Sequence, residues 1–134
     1  MLPGFCNRND MSKLILIVDD SPTVIMSLKS NLTLNGYQVE SAADGLAALS
    51  RLKAGLRPAL IITDFNMPLM NGGDLVREVK AIASLKFTPI LMLTTESDPK
   101  KREEGRKMGI TGWLVKPITG ADLLKVIAQV LPAR

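Results

Sequence analysis

From Lys13 onward, apolar runs of four to six residues alternate with longer stretches in which apolar positions recur every three or four residues. The runs Leu14 to Val18, Leu60 to Thr63 and Gly112 to Val115 lie between turn-forming residues, the pattern of strands buried on both faces. Their alternation with amphipathic stretches predicts an α/β fold with a parallel sheet. Five units follow, with strands at about 13–18, 37–42, 59–63, 89–94 and 112–115. The helices are predicted at about 22–35, 45–54, 73–83, 98–108 and 120–131.

Local signals agree with these boundaries. Ser21-Pro22 supplies an N-cap followed by proline at the first helical position, and Asn35-Gly36 is a helix stop before Tyr37. Asp44-Gly45, Asn71-Gly72-Gly73 and Ser97-Asp98-Pro99 fall where turns or helix starts are needed, and Thr119 or Gly120 opens the last helix. Leu123, Leu124, Ile127, Val130 and Leu131 form its core stripe, and Pro132 stops it.

A length of 134 residues predicts one domain and leaves no room for a second catalytic or DNA-binding one. Residues 1–11 read as a disordered extension or expression remnant, with Cys6 an incidental thiol, and 12–134 as the folded domain. The 17 Lys and Arg are interspersed with 13 Asp and Glu, without a basic stripe or interleaved aromatics, which argues against nucleic acid as a partner. With no His and a single Cys there is neither a disulfide framework nor a nitrogen or sulfur metal site, so any metal must be held by oxygen. The same usage suits a reducing, cytoplasmic setting, and no apolar stretch approaches the roughly 18 residues of a membrane span.

The acids change the picture most. Asp19-Asp20 closes the first apolar run, Asp64 another, and Lys116 follows the last. Ligands of an open parallel sheet sit at the carboxyl ends of its strands, so three carboxylates and one ammonium are predicted to meet in one crevice. Any one of these Asp residues could be a simple cap. Together they repel unless a cation joins them, and hard oxygen donors select Mg²⁺ or Mn²⁺. Three negative charges against a divalent ion and Lys116 leave a near-neutral site that accepts a phosphoryl group only when loaded with metal. A carboxylate can then attack phosphorus to form an acyl phosphate. Thr94 brings a hydroxyl to the same edge, and Pro117 holds Lys116 extended toward it.

Asp19-Asp20-Ser21, the run Asp64-Phe65-Asn66-Met67-Pro68-Leu69-Met70-Asn71-Gly72, Thr94 and Lys116-Pro117 together resemble the receiver domains of two-component response regulators, over residues 12 to 132. The resemblance implies a flavodoxin-like, CheY-like sheet of order 2-1-3-4-5 flanked by five helices. It implies that Asp64 is the phosphoacceptor for a sensor histidine kinase. Asp20 and Asp64 would ligate Mg²⁺ directly, Asp19 directly or through water, and Asn66 through its backbone carbonyl. Lys116 would pair with the phosphoryl group and Thr94 would move to hydrogen-bond it. Trp113 stands where the family has a Tyr or Phe that turns inward with the Thr, which implies a switch role for Trp113, with a larger ring to accommodate. Thr95, larger than the residue common there, is expected to narrow access to Asp64, while Asn66 and Glu96 flank the acyl phosphate and influence its hydrolysis.

Without an output domain, output would be a binding event. The segments Thr94 to Ser97 and Gly112 to Pro117 resemble the chemotaxis group most, which implies a CheA-like kinase, a flagellar switch protein as downstream target, a possible phosphatase and a monomeric chain. Phosphorelay intermediates and phosphate sinks are the alternatives within the family. The basic residues Lys100, Lys101, Arg102, Arg106 and Lys107 are interrupted by Glu103 and Glu104, so a solvated helix face is favoured over an acidic-partner site. A haloacid-dehalogenase-type Mg²⁺ phosphatase would need Asp-x-Asp in place of Asp19-Asp20-Ser21. A flavodoxin would need a Ser, Thr and Gly phosphate loop where two acids stand.

Overall fold

The computed structural model describes residues 13–67, 69–95 and 99–131. The expectations for residues 1–12, Pro68, Glu96, Ser97-Asp98 and Pro132, and for the side chains of Lys100, Lys101, Arg102 and Glu104, fall outside the description. Among the described residues, five strands and five α-helices alternate along the chain. They are β1 (Leu14–Val18), α1 (Pro22–Leu34), β2 (Gln38–Ala42), α2 (Gly45–Lys53), β3 (Leu60–Asp64), α3 (Gly72–Lys80), β4 (Ile90–Thr94), α4 (Pro99–Met108), β5 (Gly112–Val115) and α5 (Gly120–Val130). All neighbouring strands pair in parallel, in the order β2-β1-β3-β4-β5. The predicted fold class and strand order are therefore those observed.

Strand alternation sends successive side chains to opposite layers. Ile15, Ile17, Leu60, Ile62, Leu91 and Leu93 pack with Leu28 and Leu32 of α1 and Leu123 and Ile127 of α5. Leu16, Val18, Ile61 and Met92 point the other way, against Ala48, Leu49 and Leu52 of α2 and Leu75, Val76 and Val79 of α3. Both faces of the central strands are thus covered, which is why β1, β3 and β4 read as unbroken apolar runs. β5 corrects the expectation of burial on both faces: it is an edge strand, only Leu114 is fully buried, and Val115 is 38% exposed.

The helices begin where their caps predict. Ser21, Asp44, Asn71 and Thr119 each accept a hydrogen bond from the backbone N–H three residues on, satisfying a donor that has no partner inside the helix. Gly36 takes φ 92° just past the end of α1, a conformation in which glycine carries no side-chain penalty. The third helix ends earlier than the predicted 73–83. The Lys80 ammonium donates to the carbonyls of Lys86 at 3.1 Å and Thr88 at 2.8 Å, and a 3₁₀ turn at Ala83–Leu85 buries Leu85. A continuous helix would carry that apolar group away from the sheet.

Candidate functional site

Register brings the acids together. Val18 pairs with Thr63, so the next residues, Asp19 and Asp64, reach the carboxyl edge side by side on neighbouring strands. Thr94 pairs with Val115, which places Lys116 one residue beyond, and the Lys116 N–H donates to the Thr94 carbonyl at 2.8 Å. One ligand oxygen from each of Asp19, Asp20 and Asp64 can be chosen so that all three lie within 4.8 Å of one another.

Asp19 is fully buried, yet its carboxylate is held from two sides. The Ser21 N–H donates to Oδ1 at 2.9 Å, and Lys116 Nζ stands 3.0 Å from Oδ2 as an ion pair, off the line of a regular hydrogen bond. Lys116 Nζ also lies 3.4 Å from Oδ1 of Asp64. Burial is the main cause that raises the Asp64 pKa, and the Asp19 charge adds to it; Lys116 and the backbone N–H of Asn66 pull the other way without cancelling the rise. For Lys116, burial works against the charged form, but contacts with Asp19 and Asp64 outweigh it and its pKa is raised. One ammonium shared between two buried carboxylates, with Asp20 exposed beside them, leaves an excess of negative charge. An all-oxygen donor set with that excess fits a hard divalent cation such as Mg²⁺.

A cavity of about 420 Å³ opens beside Asp19 and Asp20, walled by Pro22, Ile25, Met26, Lys29 and Ser41 to Ala43. Thr94 is buried at the end of β4, whereas Thr95 and Asn66 are exposed near that edge. Trp113 is half-buried, its ring centroid 6.1 Å from that of Phe65. Of the residues singled out from sequence, Asp19, Asp20, Asp64 and Lys116 converge directly, with Thr94 adjoining them through the Lys116 backbone.

Other contributors were not legible beforehand. The Ser21 N–H orients Asp19, a role that neither its place as a helix cap nor its place in the Asp19-Asp20-Ser21 run assigns. A Cβ on Gly72 would stand 2.6 Å from Met92 Sδ and 2.7 Å from the Asp64 carbonyl oxygen, so glycine is what lets α3 start against the end of β3. Leu69, in the loop after Asp64, holds φ 71°, a left-handed conformation that costs a leucine of order 1 kcal/mol. The Lys116-Pro117 peptide is cis.

Residues 15–128 match the response regulator receiver domain family. The chain is 38% identical over 118 residues to the chemotaxis protein CheY1 of Helicobacter pylori, an alignment that covers 87% of this chain and 95% of that protein. Its structure is similar to that of the chemotaxis response regulator CheY4 of Vibrio cholerae, with TM-score 0.85, 46% identity and coverage of 90% of this chain and 99% of that one. It also resembles the receiver domain of a sensor histidine kinase from Pseudomonas aeruginosa, solved with a magnesium ion coordinated in its active-site cleft. That match has TM-score 0.81 and 28% identity, and covers 90% of this chain and 97% of the other. On sequence, sheet order and the acid edge alike, the chain belongs to the response regulator receiver domain family.

Proposed function

We propose that this receiver is a Mg²⁺-dependent phosphoacceptor switch of the chemotaxis type, which takes its phosphoryl group on Asp64 from a CheA-like sensor kinase. The observation that carries this reading is the Lys116 ammonium lying between buried Asp19 and Asp64 at the carboxyl edge. An Asp64 oxygen forms a bond to phosphorus as the donor's phosphorus–nitrogen bond breaks and the imidazole leaves. Asp19, Asp20, Asp64 and the Asn66 carbonyl would hold Mg²⁺ (or Mn²⁺), which supplies positive charge to the phosphoryl oxygens. Lys116 neutralises part of the charge that develops on those oxygens, and Thr94 hydrogen-bonds one of them in the phosphorylated state.

Thr94 and Trp113 then form the moving part, a new charge biasing a loop and helix toward a form that binds a downstream target. A cytoplasmic flagellar switch protein is the target class that the chemotaxis relatives suggest. In this reading the chain is a monomeric signalling protein that assists its own phosphorylation and hydrolysis rather than an enzyme with a separate substrate. Asn66, Thr95 and Glu96 tune access to Asp64 and the lifetime of its phosphoryl group.

The test is intact mass after acetyl phosphate and Mg²⁺, compared between the native chain and Asp64→Ala. One phosphoryl adduct that disappears with EDTA and in the variant is expected; no Asp64-dependent adduct would leave a scaffold. A second reading, a phosphorelay receiver, draws on the likeness to a sensor-kinase receiver domain. It predicts return of the group to a histidine phosphotransfer protein, which the chemotaxis reading does not require.

A further inference from the structure

Gly105 lies inside α4, buried, with an ordinary helical backbone. Glycine is among the poorest helix formers, and nothing in the local conformation demands it. Space does. A Cβ at Gly105 would stand 2.5 Å from Cζ2 and 3.0 Å from Cε2 of Trp113, and 2.8 Å from Cδ1 of Ile110. The indole is the flat end of a rigid side chain, so it cannot yield as the tip of a flexible one would. It also meets the ring of Phe65, the residue directly after Asp64, tilted at 46°. A cavity of about 220 Å³ adjoins this contact, lined by Phe65, Gly73, Gly105, Met108 and Trp113 among others.

We infer that Gly105 is a positioning residue: its missing Cβ forms the seat that lets the Trp113 indole lie between α4 and Phe65 and ties the position of α4 to the residue beside Asp64. The inference rests on the phosphoacceptor reading, in which Trp113 moves with Thr94. A larger aromatic at position 113 is accommodated by taking volume out of the helix that covers it. Filling the seat therefore denies the indole that place while leaving the acid cluster untouched.

Gly105→Ala, Trp113→Phe and the double variant test it, with beryllofluoride binding in Mg²⁺ followed by calorimetry so that the readout does not depend on the indole. Gly105→Ala alone is expected to lower Tm, although alanine is the better helix former. It should also raise acrylamide quenching of Trp113 and weaken beryllofluoride binding by roughly threefold or more, with Mg²⁺ affinity unchanged. In the Trp113→Phe background the same change should raise Tm and leave beryllofluoride affinity where the single Phe variant has it, because the smaller ring clears the indole's share of the space and the Ile110 Cδ1 methyl, the end of a flexible side chain, can turn aside.

A Tm that rises in both backgrounds, unchanged quenching, or beryllofluoride binding that is unchanged or tighter would overturn the seat. Absence of beryllofluoride binding by the native chain would instead overturn the phosphoacceptor reading, and the Tm signs and quenching would then decide the seat alone.

Discussion

The interior of the sheet and its carboxyl edge are built from the same strands but follow opposite physical rules. In the interior, Ile15 to Val18, Leu60 to Ile62 and Ile90 to Leu93 are all essentially inaccessible, and every one removes apolar surface from water. At the carboxyl ends of the same strands Asp19, Asp64 and Thr94 are also buried, and the two acids oppose folding through lost hydration and mutual repulsion. The edge is tolerated because Lys116 and the Ser21 N–H offset part of that cost. Stability made in the middle of the strands thus sustains a cluster at their ends that would not be kept for stability alone.

Breaking the interior should have the largest effect. Ile62→Ala removes a fully buried side chain packed against both α1 and α5, and is expected to cost about 2–5 kcal/mol in urea unfolding, with phosphorylation retained by the fraction that folds. A cost below about 1 kcal/mol would mean that this layer collapses around the gap.

At the edge, Lys116→Met should destabilise the metal-free protein by about 2–3 kcal/mol, since it leaves two buried carboxylates facing each other. Millimolar Mg²⁺ should recover part of that loss by binding the folded state. No loss in EDTA would show that the ammonium is not the compensating charge.

The smallest effect should have the opposite sign. Asp64 has a folded pKa above its ordinary value, so folding takes up protons between the unfolded and folded values. Its contribution is fully favourable below the ordinary carboxylate range and is lost as pH rises through the raised value. In EDTA, Tm measured against pH should therefore carry a falling component across that window. Asp64→Asn should flatten it and raise Tm by a few degrees at neutral pH, while abolishing the acetyl phosphate adduct. A variant that is less stable than the native chain in EDTA at neutral pH would contradict the assignment of net repulsion to this group.

Legibility in the sequence followed the same divide. β1, β3 and β4 were readable because central parallel strands must be apolar on both faces, and the caps at Ser21, Asp44, Asn71 and Thr119 were readable because each acts within three residues of itself. The apolar pattern runs past the end of the third helix because what shortens that helix is a lysine reaching six and eight residues ahead. The exposure of β5 is not legible because the run Gly112 to Val115 does not say which strand lies at the margin. The acids were legible as a group, since they share strand ends, yet neither Ser21 nor Gly72 announces that it holds Asp19 or abuts Asp64.

By itself the sequence determined the alternating α/β architecture, the strand ends at which Asp19, Asp20, Asp64, Thr94 and Lys116 stand, and that any cation held among them would be held by oxygen, in a chain without His. Those properties are local periodicity and residue chemistry, which survive without coordinates. Only the tertiary structure decided that the Val18 to Thr63 register sets Asp19 beside Asp64, that one ammonium serves both, and that Gly105 makes room for Trp113. Register, charge sharing and excluded volume are relations between residues far apart in the chain, and they take definite values only once the layers have packed.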